Sequence, residues 1–368
     1  MADGMTRAWV QRGARELAVE EFELPAKLPA GGAIVDVEAN GICGSDYEQY
    51  VGHFDGTGIM EYPLIIGHEP VVRIRDITPE AAERWQVAAG DRVAVEPHAG
   101  CGVCVYCMSG RQVLCPRKTQ YGYVSLGVGH GLWGGLATQM VLEGNTVLHK
   151  LPEDLSTEDA LMFNPLSAGF EWGVLKGRIG IGDDVLIIGA GQRGLACVIA
   201  AKLAGANRIA ISGLESDRDK LEIARALGAT DTIVTDPSDV ASLIDQVGQK
   251  SFDVVLDVVP AATRPVIDAI KAVRVGGRVV LGGLKGARVV PDFVSDDIVL
   301  KSIEVAGALG VSSRGYQLAI GAILSGRFDF SAWHTHTFRF DEAEEAIKVL
   351  GGEVKTGVTP IHVSVLAR

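Results

Sequence analysis

The sequence predicts an α/β protein that combines a doubly wound parallel sheet with a second, mostly antiparallel β domain. The chain has 368 residues, which is more than one compact core usually holds and indicates about two domains. From residue 184 to about 310, buried strand patterns alternate with helical patterns, and strands connected through helices must run parallel. Before residue 147, short strand-like runs are interrupted by turns, which is typical of antiparallel β structure.

The composition excludes several classes of partner. The chain has 46 acidic and 34 basic residues, for a net charge of −12. Phosphate binding needs clustered Lys and Arg, so a nucleic-acid partner is not expected, and an anionic membrane surface is disfavoured for the same reason. The most apolar segment, residues 185–206, contains Arg193 and Lys202 and does not resemble a membrane span. No secretory signal is visible, so we expect a cytoplasmic protein with reduced thiols.

Sequence periodicity predicts individual strands and helices along the chain. Residues 33–43 alternate with period two and predict a strand, as do residues 90–97 after a Gly-Asp turn. Ser156 is a predicted helix N-cap, with Asp159 three residues later. The strands predicted beyond it are 183–191, 208–212, 231–234, 252–259, 276–284 and 302–309, with helices at 192–205, 217–229 and 263–273.

The tail no longer continues this alternation. Helices are predicted at 316–326 and 340–352 and a strand at 359–366, and we expect the tail to return to the first domain. The predicted domains are therefore residues 1–160 with 311–368, and residues 161–310.

A glycine-rich turn joins the first parallel strand to its helix. Gly189, Gly191 and Gly194 form G-x-G-x-x-G, in which the glycines permit a tight turn, close approach of a pyrophosphate and helix–strand packing. The free N–H groups of the helix would face the phosphates. The strand–turn–helix context favours a Rossmann dinucleotide-binding domain over an ordinary glycine turn.

The end of the second strand determines which dinucleotide is accepted. A carboxylate that would hold the ribose of NAD is expected there, but the position is Gly213. Its absence favours NADP, whereas Glu215 favours NAD because it would repel a 2′-phosphate. Arg218 would serve either cofactor. The prediction is a nicotinamide cofactor, NAD or NADP, with a slight preference for NAD.

Four cysteines lie in a short lobe at about residues 98–118. Cys101, Cys104, Cys107 and Cys115 have the spacing C-x2-C-x2-C-x7-C, which lets four thiolates surround one ion. Four thiolates with no open position are typical of structural zinc. An iron–sulfur cluster is the competing interpretation, and four unrelated cysteines are the remaining one.

A second possible metal set lies upstream. Cys43, in GICGSD, and His68 with Glu69, in GHEP, offer a thiolate, an imidazole and a carboxylate. Three such ligands leave a position open for water or substrate, as a catalytic zinc requires. Taken alone, a single cysteine and a single histidine that are well separated in the sequence are more often not ligands of the same metal.

These motifs together resemble the zinc-dependent medium-chain alcohol and polyol dehydrogenases. The similar segments are GICGSD, GHE, GDRVAVEP, the cysteine lobe, GDDVLIIGAGQRG and GGRVVLGG, in the family's order over nearly the whole chain. The resemblance implies a GroES-like catalytic domain and two zinc ions per chain, one catalytic and one structural. It implies that Cys43 and His68 bind the catalytic zinc, with Glu69 as a third or exchangeable ligand. It also implies a homodimer or homotetramer.

The resemblance assigns a proton relay and orienting groups as well. Ser45 would hydrogen-bond the substrate hydroxyl, and Asp46 would orient His68. Two positions depart from the family pattern, since Asn164 stands where polyol dehydrogenases usually carry Glu, and Glu48 where the relay often has His. His53 is an alternative relay group or an ordinary surface histidine.

The predicted function is reversible hydride transfer between an alcohol and the nicotinamide cofactor, giving a ketone or aldehyde. The alternatives are a zinc-independent enone or quinone-type reductase of the same fold and a non-catalytic nicotinamide-binding protein. Tyr50, Phe54 and Trp133 are candidate pocket residues that favour a secondary or cyclic alcohol.

Overall fold

The computed structural model describes residues 4–239, 241–249 and 251–367. The strands are β1 Met5–Gly13, β2 Glu16–Glu23, β3 Ala33–Ile42, β4 Leu64–Ile65, β5 Pro70–Ile77, β6 Arg92–Val95, β7 His98–Ala99, β8 Thr119–Gln120, β9 Gln139–Leu142, β10 Leu148–Lys150, β11 Asp184–Ile188, β12 Arg208–Leu214, β13 Asp231–Thr235, β14 Phe252–Asp257, β15 Val273–Leu281, β16 Glu304–Gly307, β17 His334–Arg339 and β18 His362–Leu366. The helices are α1 Gly44–Tyr50, α2 Pro79–Trp85, α3 Val105–Met108, α4 Thr157–Leu161, α5 Phe163–Gly169, α6 Gln192–Ala204, α7 Arg218–Leu227, α8 Ser242–Val247, α9 Arg264–Ala272, α10 Asp296–Lys301, α11 Ser313–Leu324 and α12 Ala343–Leu350. A π-helical segment, Phe170–Lys176, follows α5.

The chain divides into two compact units. Unit 1 is Met1–Asn164 with Phe330–Arg368, and unit 2 is Pro165–Asp329. The first boundary lies close to the predicted one. The second was predicted at 310/311, which is wrong, because residues 311–329 belong to unit 2.

The side chains around the start of α11 explain this correction. The Ser312 backbone N–H donates to Glu171 Oε2 at 3.1 Å, and the Ser312 hydroxyl donates to the same oxygen. Trp172 Nε1 donates to the carbonyl of Gly310 at 3.2 Å. The acceptor Glu171 and the donor Trp172 both lie in the π-helical segment of unit 2, so α11 is anchored to this unit. Its helical pattern alone carries no information about which domain it joins.

Unit 1 is the predicted, mostly antiparallel β domain. Its largest sheet has the order β10-β6-β5-β3-β18-β17, with β9 also pairing with β3, and only β17 and β18 are parallel. A three-stranded sheet has the order β2-β1-β4. The alternation predicted for residues 33–43 is seen in β3, which pairs with β5, β9 and β18. The tail strand β18 therefore belongs to this unit, as predicted.

Unit 2 contains the predicted doubly wound sheet. Its six parallel strands have the order β13-β12-β11-β14-β15-β16, which is the Rossmann order. The switch in strand order lies between β11 and β14, where Ile188 pairs with Asp257. Ligands bind at the carboxyl ends of strands at such a switch.

None of the helices within residues 4–239, 241–249 and 251–367 combines the length and hydropathy that a bilayer crossing requires.

Candidate functional site

Cys43 lies at the junction between β3 and α1. It is the N-cap of α1, with extended backbone angles, and its N–H donates to Asp46 Oδ2 at 2.8 Å. Asp46 thereby caps the first turn of the helix. Ser45, Asp46 and Glu48 are consequently fixed on the first turns of α1.

The three predicted metal ligands lie together in unit 1. The ligand atoms of Cys43, His68 and Glu69 are within 4.8 Å of one another, and all three residues are buried. Cys43 Sγ lies 3.3 Å from His68 Nε2, and His68 Nε2 lies 4.0 Å from Glu69 Oε1. Ser45 Oγ is 2.8 Å from Cys43 Sγ and 3.4 Å from His68 Nε2. A thiol, an imidazole and a carboxylate at one buried point match the donor preferences of zinc.

Asp46 connects α1 to His68. Its Oδ1 lies 3.1 Å from His68 Nδ1, and the carboxyl group is buried. This contact leaves Nε2 directed at Cys43, which is the ring orientation that a metal-binding histidine needs. Burial opposes charging of the ring, but the charges of Asp46 and Cys43 raise the pKa of His68 well above its ordinary value. Such an excess of acidic groups around one imidazole fits a divalent cation.

The predicted relay residues Glu48 and His53 lie at the surface of unit 1. The Nδ1 atom of His53 contacts Glu48 Oε2, and both side chains are largely exposed. Glu48 follows Ser45 by one helical turn, so the two side chains lie on neighbouring positions of α1. Asn164 is buried in α5.

Tyr123 is a site residue that the sequence did not reveal. Its ring meets the His68 ring edge-on, with centroids 5.6 Å apart, and lies 6.2 Å from the ring of Phe54. It also borders a pocket of about 470 Å³, lined by Gly56, Gly58, Ile59, Met60, Glu61, Tyr123, Ser125 and Val128. Tyr123 belongs to no spacing pattern, and only the fold brings it to His68.

Two of the predicted pocket aromatics belong to the interior of unit 1. Tyr50 is 2% exposed and its hydroxyl donates to Glu344 Oε1. Trp133 is 3% exposed, packs with Tyr121 in the core and donates to the carbonyl of Val128. Neither residue is among those that line the pocket beside Tyr123. Phe54 remains beside Tyr123.

The four cysteines of the lobe form a second cluster in unit 1. The Sγ atoms of Cys101, Cys104, Cys107 and Cys115 all lie within 4.8 Å of one another. The backbone N–H groups of Cys101 and Arg117 each donate to Cys115 Sγ at 3.4 Å. The Val103 N–H lowers the pKa of Cys101 to about 6, whereas burial raises the pKa of Cys107 to about 12. Four convergent sulfurs with N–H donors fit a tetrahedral metal site without a free position.

The predicted glycine loop lies at the carboxyl end of β11 in unit 2. Gly189 has φ +114°, which favours glycine. A Cβ on Gly194 would lie 1.9 Å from the Gly189 carbonyl oxygen, whereas one on Gly191 would meet nothing within 4 Å. The start of α6 has no side-chain cap. The loop thus leaves open space beside the N-terminus of α6, as a pyrophosphate requires.

Gly213 lies at the end of β12 beside this loop. A Cβ here would lie 3.0 Å from the Cβ atoms of both Ala190 and Asp217, so close packing favours glycine at the expected acid position. Glu215 and Arg218 form a two-contact ion pair, with Nε–Oε1 2.5 Å and Nη2–Oε2 2.9 Å. Both side chains are exposed, and the Arg218 hydrogen bond lowers the pKa of Glu215.

A Rossmann domain joined to a β domain with a buried Cys-His-Glu set defines a metal-dependent dehydrogenase. Known proteins support this class. Residues 29–153 match the alcohol dehydrogenase GroES-like domain family, and residues 194–325 match the zinc-binding dehydrogenase family.

Curated relatives match nearly the whole chain. A probable alcohol dehydrogenase of Mycobacterium tuberculosis is 39% identical, covering 98% of this chain and 99% of the relative. An erythritol/L-threitol dehydrogenase of Mycolicibacterium smegmatis is 30% identical, covering 98% and 97%. Among solved structures, the alcohol dehydrogenase TADH from Thermus sp. ATN1 is 28% identical, with TM-score 0.83 and coverage of 98% and 100%. The chain belongs to the zinc-dependent medium-chain alcohol dehydrogenase family.

Family membership confirms the predicted class of reaction. The protein is an oxidoreductase that transfers a hydride between an alcohol and a nicotinamide cofactor, and it uses zinc. The zinc-independent reductase and the non-catalytic binding protein are therefore set aside.

Proposed function

We propose that Cys43, His68 and Glu69 hold the catalytic zinc of a dehydrogenase for uncharged alcohols. The observation that carries this proposal is the convergence of three buried donor atoms within 4.8 Å, with Ser45 beside them. Zinc bound there would act as a Lewis acid and lower the pKa of a substrate hydroxyl. The nicotinamide supplies the hydride chemistry, and the protein supplies position and electrostatics.

The residues around this set have separate tasks in the proposal. Ser45, whose Oγ faces both Cys43 and His68, accepts the proton of the substrate hydroxyl. Glu48, one helical turn away and in contact with His53, passes that proton to solvent. Asp46 holds the Nδ1 side of His68 and so fixes which ring nitrogen faces the metal. Glu69 is the proposed third ligand of the catalytic zinc and supplies an anionic oxygen. Asn164 has a neutral side chain and is not assigned as a ligand.

The cysteine lobe is proposed to hold a second zinc ion. Its four sulfurs lie within 4.8 Å of one another, and four thiolates would complete the tetrahedral coordination of a zinc ion and leave no position for substrate. This zinc would fix the loop at about residues 98–118, and the count would be two zinc ions per chain.

The proposed cofactor site is the glycine loop of unit 2, with Gly189, Gly191 and Gly194 at the pyrophosphate. The proposed preference is NAD over NADP. Gly213 offers no carboxylate, but the ionised Glu215 stands two residues further on and already neutralises Arg218. Arg218 is then less able to attract a 2′-phosphate.

Replacing Glu215 by glutamine is expected to raise kcat/KM for NADP relative to NAD. The substitution removes one negative charge near the proposed ribose site and releases Arg218 from its ion pair, so Arg218 can attract a 2′-phosphate and the ratio is expected to rise by roughly tenfold. Steady-state kinetics with both cofactors measure this ratio. Glu222→Gln is the matched control, because Glu222 is also an exposed glutamate of unit 2 that pairs with an arginine, Arg225. An unchanged cofactor ratio in Glu215→Gln would refute the role of Glu215.

The proposed substrates are secondary or cyclic alcohols without an anionic group. The pocket in unit 1 carries the apolar side chains of Ile59, Met60 and Val128, and its one charged lining residue is Glu61. A carboxylate at the rim disfavours hydroxy acids and phosphorylated polyols. Polyol substrates would also need several hydrogen-bonding partners, and the residues that line this pocket offer few of them.

A substrate screen tests this function. We expect cofactor reduction with secondary and cyclic alcohols to exceed that with primary alcohols, polyols and hydroxy acids by at least about tenfold in kcat/KM, the discrimination that about 1.4 kcal/mol provides. Each class is assayed with NAD and with NADP. Faster turnover of polyols or hydroxy acids would contradict the proposed substrate class.

We also propose that the protein is a homodimer or homotetramer. Val299, Leu300 and Leu309 are apolar yet mostly exposed, and they flank β16, at one end of the six-stranded sheet. Exposed apolar side chains beside an edge strand are disfavoured in a monomer.

A further inference from the structure

Tyr123 lies beside His68 at the pocket in unit 1 and has no role in the proposed proton transfer or metal binding. It is only 7% exposed although it borders the pocket in unit 1. One edge of its ring meets the His68 imidazole, and another meets Phe54.

The ring therefore stands between two chemically different regions of unit 1. On one side lie Cys43, Ser45 and His68, which are polar and buried. On the other side lies the pocket, with Ile59, Val128 and the backbone of Gly56 and Gly58. A substituent that enters the pocket must pass over or rest against the aromatic face.

The backbone of Tyr123 is held independently of its side chain. Its N–H donates to the carbonyl of Gln120 at 3.1 Å. The neighbouring Gly122 donates to the carbonyl of Trp133 at 2.7 Å and accepts from Gln49 Nε2 at 2.9 Å. The ring is thus presented by a rigid turn, which is what a specificity-determining contact requires.

We propose that Tyr123 is a specificity-determining residue of this enzyme. Its ring is the surface against which the apolar substituent of an uncharged secondary alcohol rests. This inference rests on the proposed function and adds the group that selects among alcohols.

The kinetic test compares Tyr123→Phe, Tyr123→Ala and Tyr121→Phe. Tyr121 is the matched control, since it lies two residues away but its hydroxyl bonds the Thr146 hydroxyl and the Glu143 N–H in the core. Tyr123→Ala is expected to change the kcat/KM ratio of 2-butanol to cyclohexanol by about tenfold or more, the scale of one pocket contact. Tyr123→Phe, which keeps the aromatic ring, and Tyr121→Phe are both expected to leave this ratio unchanged.

A second readout does not depend on turnover. In zinc-free protein, alkylation of Cys43 by iodoacetamide is followed by mass spectrometry of its peptide. Tyr123→Ala is expected to accelerate this reaction several-fold over wild type, because removal of the ring that lies between the pocket and His68 opens a path toward Cys43, whereas Tyr121→Phe leaves the rate unchanged. Circular dichroism verifies that each variant is folded.

The outcomes separate the two proposals. An unchanged alcohol ratio together with an unchanged alkylation rate in Tyr123→Ala would overturn the assignment of Tyr123. Wild-type protein that turns over no alcohol would instead overturn the proposed function, and the alkylation rates would still decide whether Tyr123 separates the pocket from Cys43.

Discussion

Replacing Cys43 by alanine is expected to lower kcat for alcohol oxidation by at least about a thousandfold, because losing roughly 4 kcal/mol of transition-state stabilisation has this effect. The thiol is 3.3 Å from His68 Nε2 and 2.8 Å from Ser45 Oγ, so its removal leaves the proposed zinc with two protein ligands. The cofactor loop lies in unit 2, and the dissociation constant for NADH should stay within about twofold, since mutations at independent sites rarely couple. Stopped-flow oxidation and fluorescence titration measure the two quantities.

Cys197→Ala is the matched control for this substitution. Cys197 is a fully buried thiol on α6, and burial raises its pKa to about 12, so it behaves as a small apolar side chain. Its removal leaves a small cavity that lowers stability by about 1 kcal/mol and leaves kcat unchanged. Equal loss of kcat in both variants would indicate a folding defect and contradict the role of Cys43.

Replacing Cys107 by alanine is expected to destabilise the lobe without abolishing the chemistry. Cys107 Sγ lies 3.5 Å from Cys104 Sγ and 4.0 Å from Cys101 Sγ, so its loss breaks the four-sulfur set. Structural zinc contributes roughly 10 kcal/mol in small metal-folded domains. We expect the substitution to remove part of this stabilising free energy. Because each kcal/mol corresponds to about 2 to 4 °C in a domain of this size, the melting temperature should fall by about 10 °C. Differential scanning calorimetry measures the change.

Limited proteolysis locates the effect of Cys107→Ala. We expect new cleavage between residues 101 and 115, because the lobe has little other structure than α3 and a short 3-10 turn. Met108→Ala is the control in the same loop, since this side chain is 78% exposed and contributes no ligand. A melting temperature and cleavage pattern unchanged from wild type in Cys107→Ala would contradict a structural metal in the lobe.

The features that follow from local pattern could be predicted from the sequence. The alternation of strands and helices after residue 184 determines a parallel sheet, and the glycine spacing locates the turn between β11 and α6. The cysteine spacing predicts the four-sulfur cluster, since two-residue gaps bring thiols to one point. The proximity of Cys43 and His68 depended on the resemblance, because nothing local connects β3 to the segment before β5.

The features that depend on tertiary packing could not be predicted. The helix α11 shows the same periodicity whichever unit it packs on, and the Glu171–Ser312 contact decides the matter only in three dimensions. Tyr50, Trp133 and Tyr123 are all aromatic residues in glycine-containing segments. The sequence contains no signal that sends the first two into the core and the third beside His68.

Zinc-edge anomalous diffraction from crystals of the protein as purified is the most direct test of a catalytic zinc at Cys43, His68 and Glu69 and of a second zinc in the cysteine lobe. We expect two peaks per chain, one among the four lobe sulfurs and one at about 2.3 Å from Cys43 Sγ and about 2.0 Å from His68 Nε2, the usual zinc bond lengths. A chain that oxidises alcohols at full rate with a single peak, in the lobe alone, would contradict it.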